Sequence, residues 1–133
     1  RIQHLNCVVH PRDNNNLDVV CATQWIQNVQ EAIGRMLNIS HNRINVQVKR
    51  CGGAFGGKVS RPGIPACACA LSAYLLQRPV RTVMPLEPNM RLDGGRYPTF
   101  LEYEVGTNNE GVIQYMKAKF YVDKGITYND SLT

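Results

Sequence analysis

"RINVQVKRCGGAFGGKVSRPGIPACACALSAYLLQ", residues 43–77, carries the pattern that decides the fold. From Arg43 to Lys49 the side chains alternate. Ile44, Val46 and Val48 share one face, while Arg43, Asn45, Gln47 and Lys49 share the other, the period of a half-buried strand. Gly52-Gly53-Ala54-Phe55-Gly56-Gly57 comes next, four glycines around one aromatic. A helix is expected from about Pro62 to Gln77, with Pro62 and Pro65 in its first turn, where a missing N–H costs nothing. A strand–glycine loop–helix unit can cradle an anion. Glycines let several backbone N–H groups converge, and a helix N-terminus adds partial positive charge.

The flanking segments extend this unit in both directions. Upstream, "LNCVV" and "DVVCA" read as strands separated by the turn-forming "RDNNN". A helix is expected from about Gln24 to Leu37, capped by Thr23, with Trp25, Val29, Ile33 and Leu37 forming one apolar stripe. Downstream, "PVRTVM" reads as a strand and "PLEPNMRLDGGR" as a turn region with Asp93-Gly94-Gly95 at its tip. "TFLEYEVG" and "GVIQYMKAKFYVD" read as two long strands joined by "TNNE" in a hairpin. The order ββ-α-β-loop-α-β-ββ defines an α/β class, a mixed sheet with helices, expected as one domain over residues 1–133.

Composition fits that reading. The chain has 133 residues, 44% hydrophobic and 19% charged, within the range of ordinary globular proteins. It contains no apolar run long enough for a membrane helix. "RIQHLNCVVHP" is too short and too interrupted for a signal peptide. With no initial Met and a stop on "YNDSLT", the chain is expected to be a piece of a longer protein. Net charge is +5, yet the basic residues are scattered except for Lys49-Arg50 and Lys58-Arg61 beside the loop. That distribution excludes a nucleic-acid stripe and favours a local anion site. Five cysteines without a C-x-x-C argue against a disulfide framework and for a reducing, cytoplasmic setting. Cys67 and Cys69 would face different sides of the second helix and read as small buried hydrophobes.

The loop nearly spells a nucleotide-binding P-loop. Gly52 and Gly57-Lys58 occupy the first and last positions of G-x-x-x-x-G-K-[ST], but Val59 stands where a magnesium-ligating hydroxyl is needed. On these residues alone, a non-catalytic P-loop-like anion module and a purely structural glycine turn both remain open.

Taken together, "CATQW", "INVQVKRCGGAFGGKVSRPGIPACACALSAYLLQRPVRTVM" and "RLDGGRYPTFLEYEVGTNNEGVI" resemble the molybdenum-cofactor domain of the aldehyde oxidase and xanthine dehydrogenase family. The resemblance runs over nearly the whole chain in order. It implies that Gly53, Ala54, Phe55 and Gly56 lie at the molybdenum cofactor (Mo-molybdopterin), with the backbone N–H groups of Ala54, Phe55 and Gly56 turned toward it, and that Phe55 and Val59 line the substrate pocket. Gln24 is expected to support the loop by a hydrogen bond. Xanthine dehydrogenases of the family carry a glutamate immediately after "GGK". The apolar Val59 therefore implies an aldehyde oxidase, oxidising aldehydes and apolar N-heterocycles, with a xanthine dehydrogenase-type purine hydroxylase as the alternative. The resemblance further implies two [2Fe–2S] clusters and FAD in the complete enzyme, dioxygen as electron acceptor and a homodimer, with neither nucleic acid nor membrane as partner. The general-base glutamate is expected outside this chain, and none of the glutamates present is assigned to it.

Overall fold

The computed structural model describes residues 4–93, 97–123 and 125. They fall into two compact units, divided near Gly94.

The first unit is a four-stranded sheet with helices against it. Strands β1 (Asn6–Arg12) and β2 (Asn16–Cys21) form an antiparallel pair with Cys7 opposite Cys21 and Val9 opposite Val19. The tight connection between them holds Asn14 and Asn15 at φ of 58° and 59°, a left-handed conformation that asparagine tolerates better than most residues. Helix α1 (Ile26–Leu37) then carries the chain to β3 (Ile44–Gln47), which pairs with β2 in parallel. Helix α2 (Gly63–Leu76) leads to β4 (Val80–Val83), antiparallel to β1. The sheet order is β3-β2-β1-β4. The expected mixed sheet with helices is therefore present.

One face of this sheet supplies the core. Alternation puts Cys7 and Val9 of β1, Leu17, Val19 and Cys21 of β2, and Ile44 of β3 together, and all are buried. Val29 and Ile33 of α1 and Ala66, Cys69, Ala70 and Ala73 of α2 close over them. The alanines of α2 allow close approach to both the sheet and α1, so this helix is buried by small residues rather than by a stripe of large ones. Left-handed residues stop both helices, Asn38 at φ 53° and Gln77 at φ 51°.

Two expectations need correction. Helix α1 begins at Ile26, because the N–H groups before it have other partners: Gln24 donates to the Lys58 carbonyl and Trp25 to Thr23 Oγ1. Thr23 thus shapes the entry turn rather than capping the helix, and Trp25, 48% exposed, leaves the apolar stripe. The expected turn region after β4 contains an eight-residue helix, α3 (Leu86–Asp93). Its Pro88 lies in the first turn, where no intrahelical N–H is needed. Glu87 pairs with Arg91 at 2.7 Å. The buried Asn89 accepts the Leu5 N–H at 2.8 Å and ties this helix to the start of β1. Gly94 and Gly95 of the expected tip lie outside the described residues.

The second unit is the expected hairpin, β5 (Thr99–Thr107) and β6 (Ile113–Val122), antiparallel with Glu102 opposite Lys119 and Glu104 opposite Lys117. Asn108 organises its turn: its Oδ1 accepts the N–H groups of Glu110 and Val112. The Tyr115 ring covers Gly106, leaving no room for a β-carbon there.

Candidate functional site

The glycine loop leaves the carboxyl end of β3, and β2, parallel to it, ends beside it. In open α/β sheets, ligands gather where parallel strands end. Here the residues leaving β2 make direct contact with the loop. Thr23 Oγ1 donates to the Lys58 carbonyl at 3.2 Å, and the Gln24 N–H donates to the same oxygen at 2.7 Å. Gln24 Oε1 accepts the Lys58 N–H at 3.1 Å, the expected support from Gln24.

Within the loop, Gly57 donates to the Ala54 carbonyl at 3.0 Å, closing a turn over residues 54–57. Its two central residues, Phe55 and Gly56, have φ of 49° and 85°. Turns of this hand suit glycine, and a phenylalanine there carries strain of about 1–2 kcal/mol. Phe55 is nevertheless 81% exposed, with its ring edge beside Gly53, where a β-carbon would meet it at 3.5 Å. Ala54 is buried and Val59 half-buried. Among the described residues, no protein acceptor takes the N–H of Gly53, Ala54 or Gly56. The loop thus keeps a short run of donors outside its own hydrogen bonding, with an aromatic held outward next to them.

The P-loop likeness ends at two points. Lys58 is 1% exposed, and its Nζ donates back to the Cys51 carbonyl at 2.7 Å. The N-terminus of α2 is also engaged: Gly63 donates to Ser60, Ile64 to Arg61 and Ala66 to Pro62, while Pro65 has no N–H. Of the two groups that hold phosphate in a P-loop, the lysine is buried here and the helix end has its N–H groups engaged by the preceding turn.

Beside the loop, a depression of about 540 Å³ is lined by Asn6, Val20, Cys21, Ala22, Lys49 and Arg50. Lys49 and Arg50 supply its two cationic side chains. Beneath it lies a thiol cluster. The Cys7 thiol is pushed up, first by hydrogen bonding with Cys21 and Cys69 and then by burial. Cys21 is held below its ordinary value, first by its hydrogen bond with Cys7 and more weakly by the Lys58 charge. Burial raises Cys67. All five cysteines are free thiols, and among the described residues no three His, Cys, Asp or Glu side chains gather to hold a metal. No helix of the described residues is long and apolar enough to cross a membrane.

Sequence reasoning placed Gly53, Ala54, Phe55, Gly56 and Val59 on one loop, and the structure keeps them there. It missed the inward turn of Lys58, because a lysine after two glycines reads equally well as a phosphate ligand. The signal available was Val59, which already broke the nucleotide pattern.

A glycine loop with N–H groups to spare, at the ends of two parallel strands of a mixed α/β layer, is an arrangement suited to an electron-rich ligand. The chain belongs to the molybdopterin cofactor-binding domain family, whose pattern it matches over residues 3–133. It is 39% identical over 124 residues to aldehyde oxidase 2 of Rattus norvegicus, covering 93% of this chain and 9% of that protein. Indole-3-acetaldehyde oxidase of Arabidopsis thaliana is 38% identical over 90% of this chain, and xanthine dehydrogenase of Dictyostelium discoideum 32% identical over 94%. The chain spans 9% of the length of each of these relatives. The fold is also that of quinoline 2-oxidoreductase from Pseudomonas putida 86, with a TM-score of 0.61 at 20% identity, over 90% of this chain and 15% of that one.

Proposed function

We propose that this chain is part of the molybdopterin-binding domain of an aldehyde oxidase, and that its glycine loop seats the molybdenum cofactor. The observation carrying this reading is the run of loop N–H groups, at Gly53, Ala54 and Gly56, that no protein acceptor engages among the described residues. Backbone donors suit an electron-rich group, because they stabilise its oxygens without adding a titratable side chain. The chemistry of the loop therefore fits the cofactor. When bound, the cofactor supplies the two-electron redox centre at which the carbonyl carbon is hydroxylated.

The chain's own residues prepare the site. Gly53, Ala54, Phe55 and Gly56 bind and orient the cofactor through the main chain. Phe55, held outward at a strained φ, covers the site against water and lines the substrate pocket with Val59. An apolar Val59 accepts an aldehyde or an apolar heterocycle. It would leave the donors and acceptors of a purine unpaired, at a cost of about 1–3 kcal/mol for each buried group. That residue favours aldehyde oxidation over the purine hydroxylase reading, which the similarity to a xanthine dehydrogenase keeps as the second choice. In the complete enzyme, electrons would pass through two [2Fe–2S] clusters and FAD to dioxygen, in a cytoplasmic homodimer, with the general base supplied from elsewhere in the polypeptide.

The test is turnover by the complete enzyme. Benzaldehyde and an aliphatic aldehyde should be oxidised, with xanthine a poor substrate. Xanthine turnover without aldehyde turnover would reverse the assignment.

A further inference from the structure

The proposed cofactor contacts leave out Lys58, and its burial lacks an obvious counterweight. The side chain is 1% exposed, among the most buried in the chain. An ammonium carries three N–H donors. Among the described residues, the Cys51 carbonyl is its only acceptor and no carboxylate pairs with it. A single carbonyl dipole offsets only part of the cost of burying a full charge. The main chain of the same residue is fixed as well: its N–H goes to Gln24, and its carbonyl accepts from both Gln24 and Thr23. From that anchored point the side chain reaches back to the residue preceding the glycines, so residues 52–57 form a loop tied at its base.

We propose that Lys58 is the positioning residue of the glycine loop. Its ammonium ties Cys51 to the anchored end, and its charge is left unbalanced so that an electron-rich group seated on the loop becomes the missing counter-ion. This rests on the cofactor reading above and adds a role for a side chain that does not touch the cofactor. The arrangement divides the work: the staple fixes where the N–H groups point, and the charge couples loop stability to occupancy. A neutral donor in the same place would serve the first role and not the second.

The experiment compares the complete enzyme with its Lys58→Met, Lys58→Arg and Lys58→Gln variants, each prepared with and without cofactor. In the cofactor-free proteins, exchange of the Gly57 amide, which is bonded to the Ala54 carbonyl within the loop, should rise about tenfold or more in Lys58→Met, the loss of one charge-assisted bond, and stay near wild type in Lys58→Arg. Molybdenum per chain should fall in Lys58→Met and recover in Lys58→Arg. Lys58→Gln, which keeps a donor but no charge, should retain loop protection while its molybdenum content falls. Should Lys58→Met fail to fold, the Gln and Arg pair still separates the two roles. Unchanged exchange in cofactor-free Lys58→Met overturns the staple, and full molybdenum content in Lys58→Gln overturns the charge. If the wild-type loop gains no protection when the cofactor binds, the cofactor reading falls, while exchange in the cofactor-free proteins still judges the staple.

Discussion

Gln24 and Lys58 hold each other reciprocally: the Gln24 N–H donates to the Lys58 carbonyl at 2.7 Å, and Gln24 Oε1 accepts the Lys58 N–H at 3.1 Å. The pair joins the end of β2 to the end of the glycine loop. Replacing Gln24 by Ala leaves the Lys58 N–H without its acceptor and should destabilise the protein by about 1 kcal/mol. Thermal unfolding of the complete enzyme checks this, and molybdenum content should fall with it.

Phe55 offers the opposite combination. Its left-handed backbone is strained, and its side chain is largely exposed. Phe55→Gly relieves the strain but gives the unfolded chain more freedom, so stability should change by no more than about 1 kcal/mol. Aldehyde turnover should fall much further than stability. Steady-state kinetics beside a melting curve would show whether the aromatic serves the site or the fold.

Val59→Glu should lower kcat/KM for benzaldehyde and raise it for a purine, since the new carboxylate can pair with polar ring atoms. The ratio of the two constants is the measurement. An unchanged ratio would remove Val59 from the substrate pocket.

Ile33 is wholly buried between α1 and the sheet. Ile33→Ala should cost about 3 kcal/mol through lost burial and the cavity left behind. Denaturant titration is the check. This effect lies on the folding side and should leave substrate preference alone.

Asp18 predicts the acid limb. Hydrogen bonds from Arg12 and Asn45 hold its carboxyl below the ordinary range. A lowered folded value means stability that is present above the unfolded value of about 3.9 and lost as pH falls through the folded value. Because the pair is partly exposed, the contribution should stay below about 1 kcal/mol. Asp18→Asn should flatten the stability curve below about pH 4, read from unfolding midpoints across that range.

Much of this architecture could be read from residue order, and the exceptions have physical causes. Period-two alternation exposed β3 and the hairpin strands, because one face of each is patterned apolar. Helix α2 was legible from its prolines and small residues. Helix α3 was not: Pro85 and Pro88 read as turn formers, and the contact that fixes the helix, Asn89 to Leu5, spans most of the first unit. The glycine loop was legible as a donor cradle. The direction of Lys58 was not, because nothing local decides between an outward ligand and an inward staple. That choice depends on the Cys51 carbonyl and on the anchoring by Thr23 and Gln24.

Strand β1 lies between β2 and β4, although β4 is made much later. At ribosomal speeds of about 5–20 residues per second, several seconds separate the two. During that interval one margin of β1 waits uncovered on the nascent chain, open to pairing with a neighbouring polypeptide. Slower translation between α2 and β4 should therefore lower the yield of correctly folded enzyme, whatever the cofactor supply.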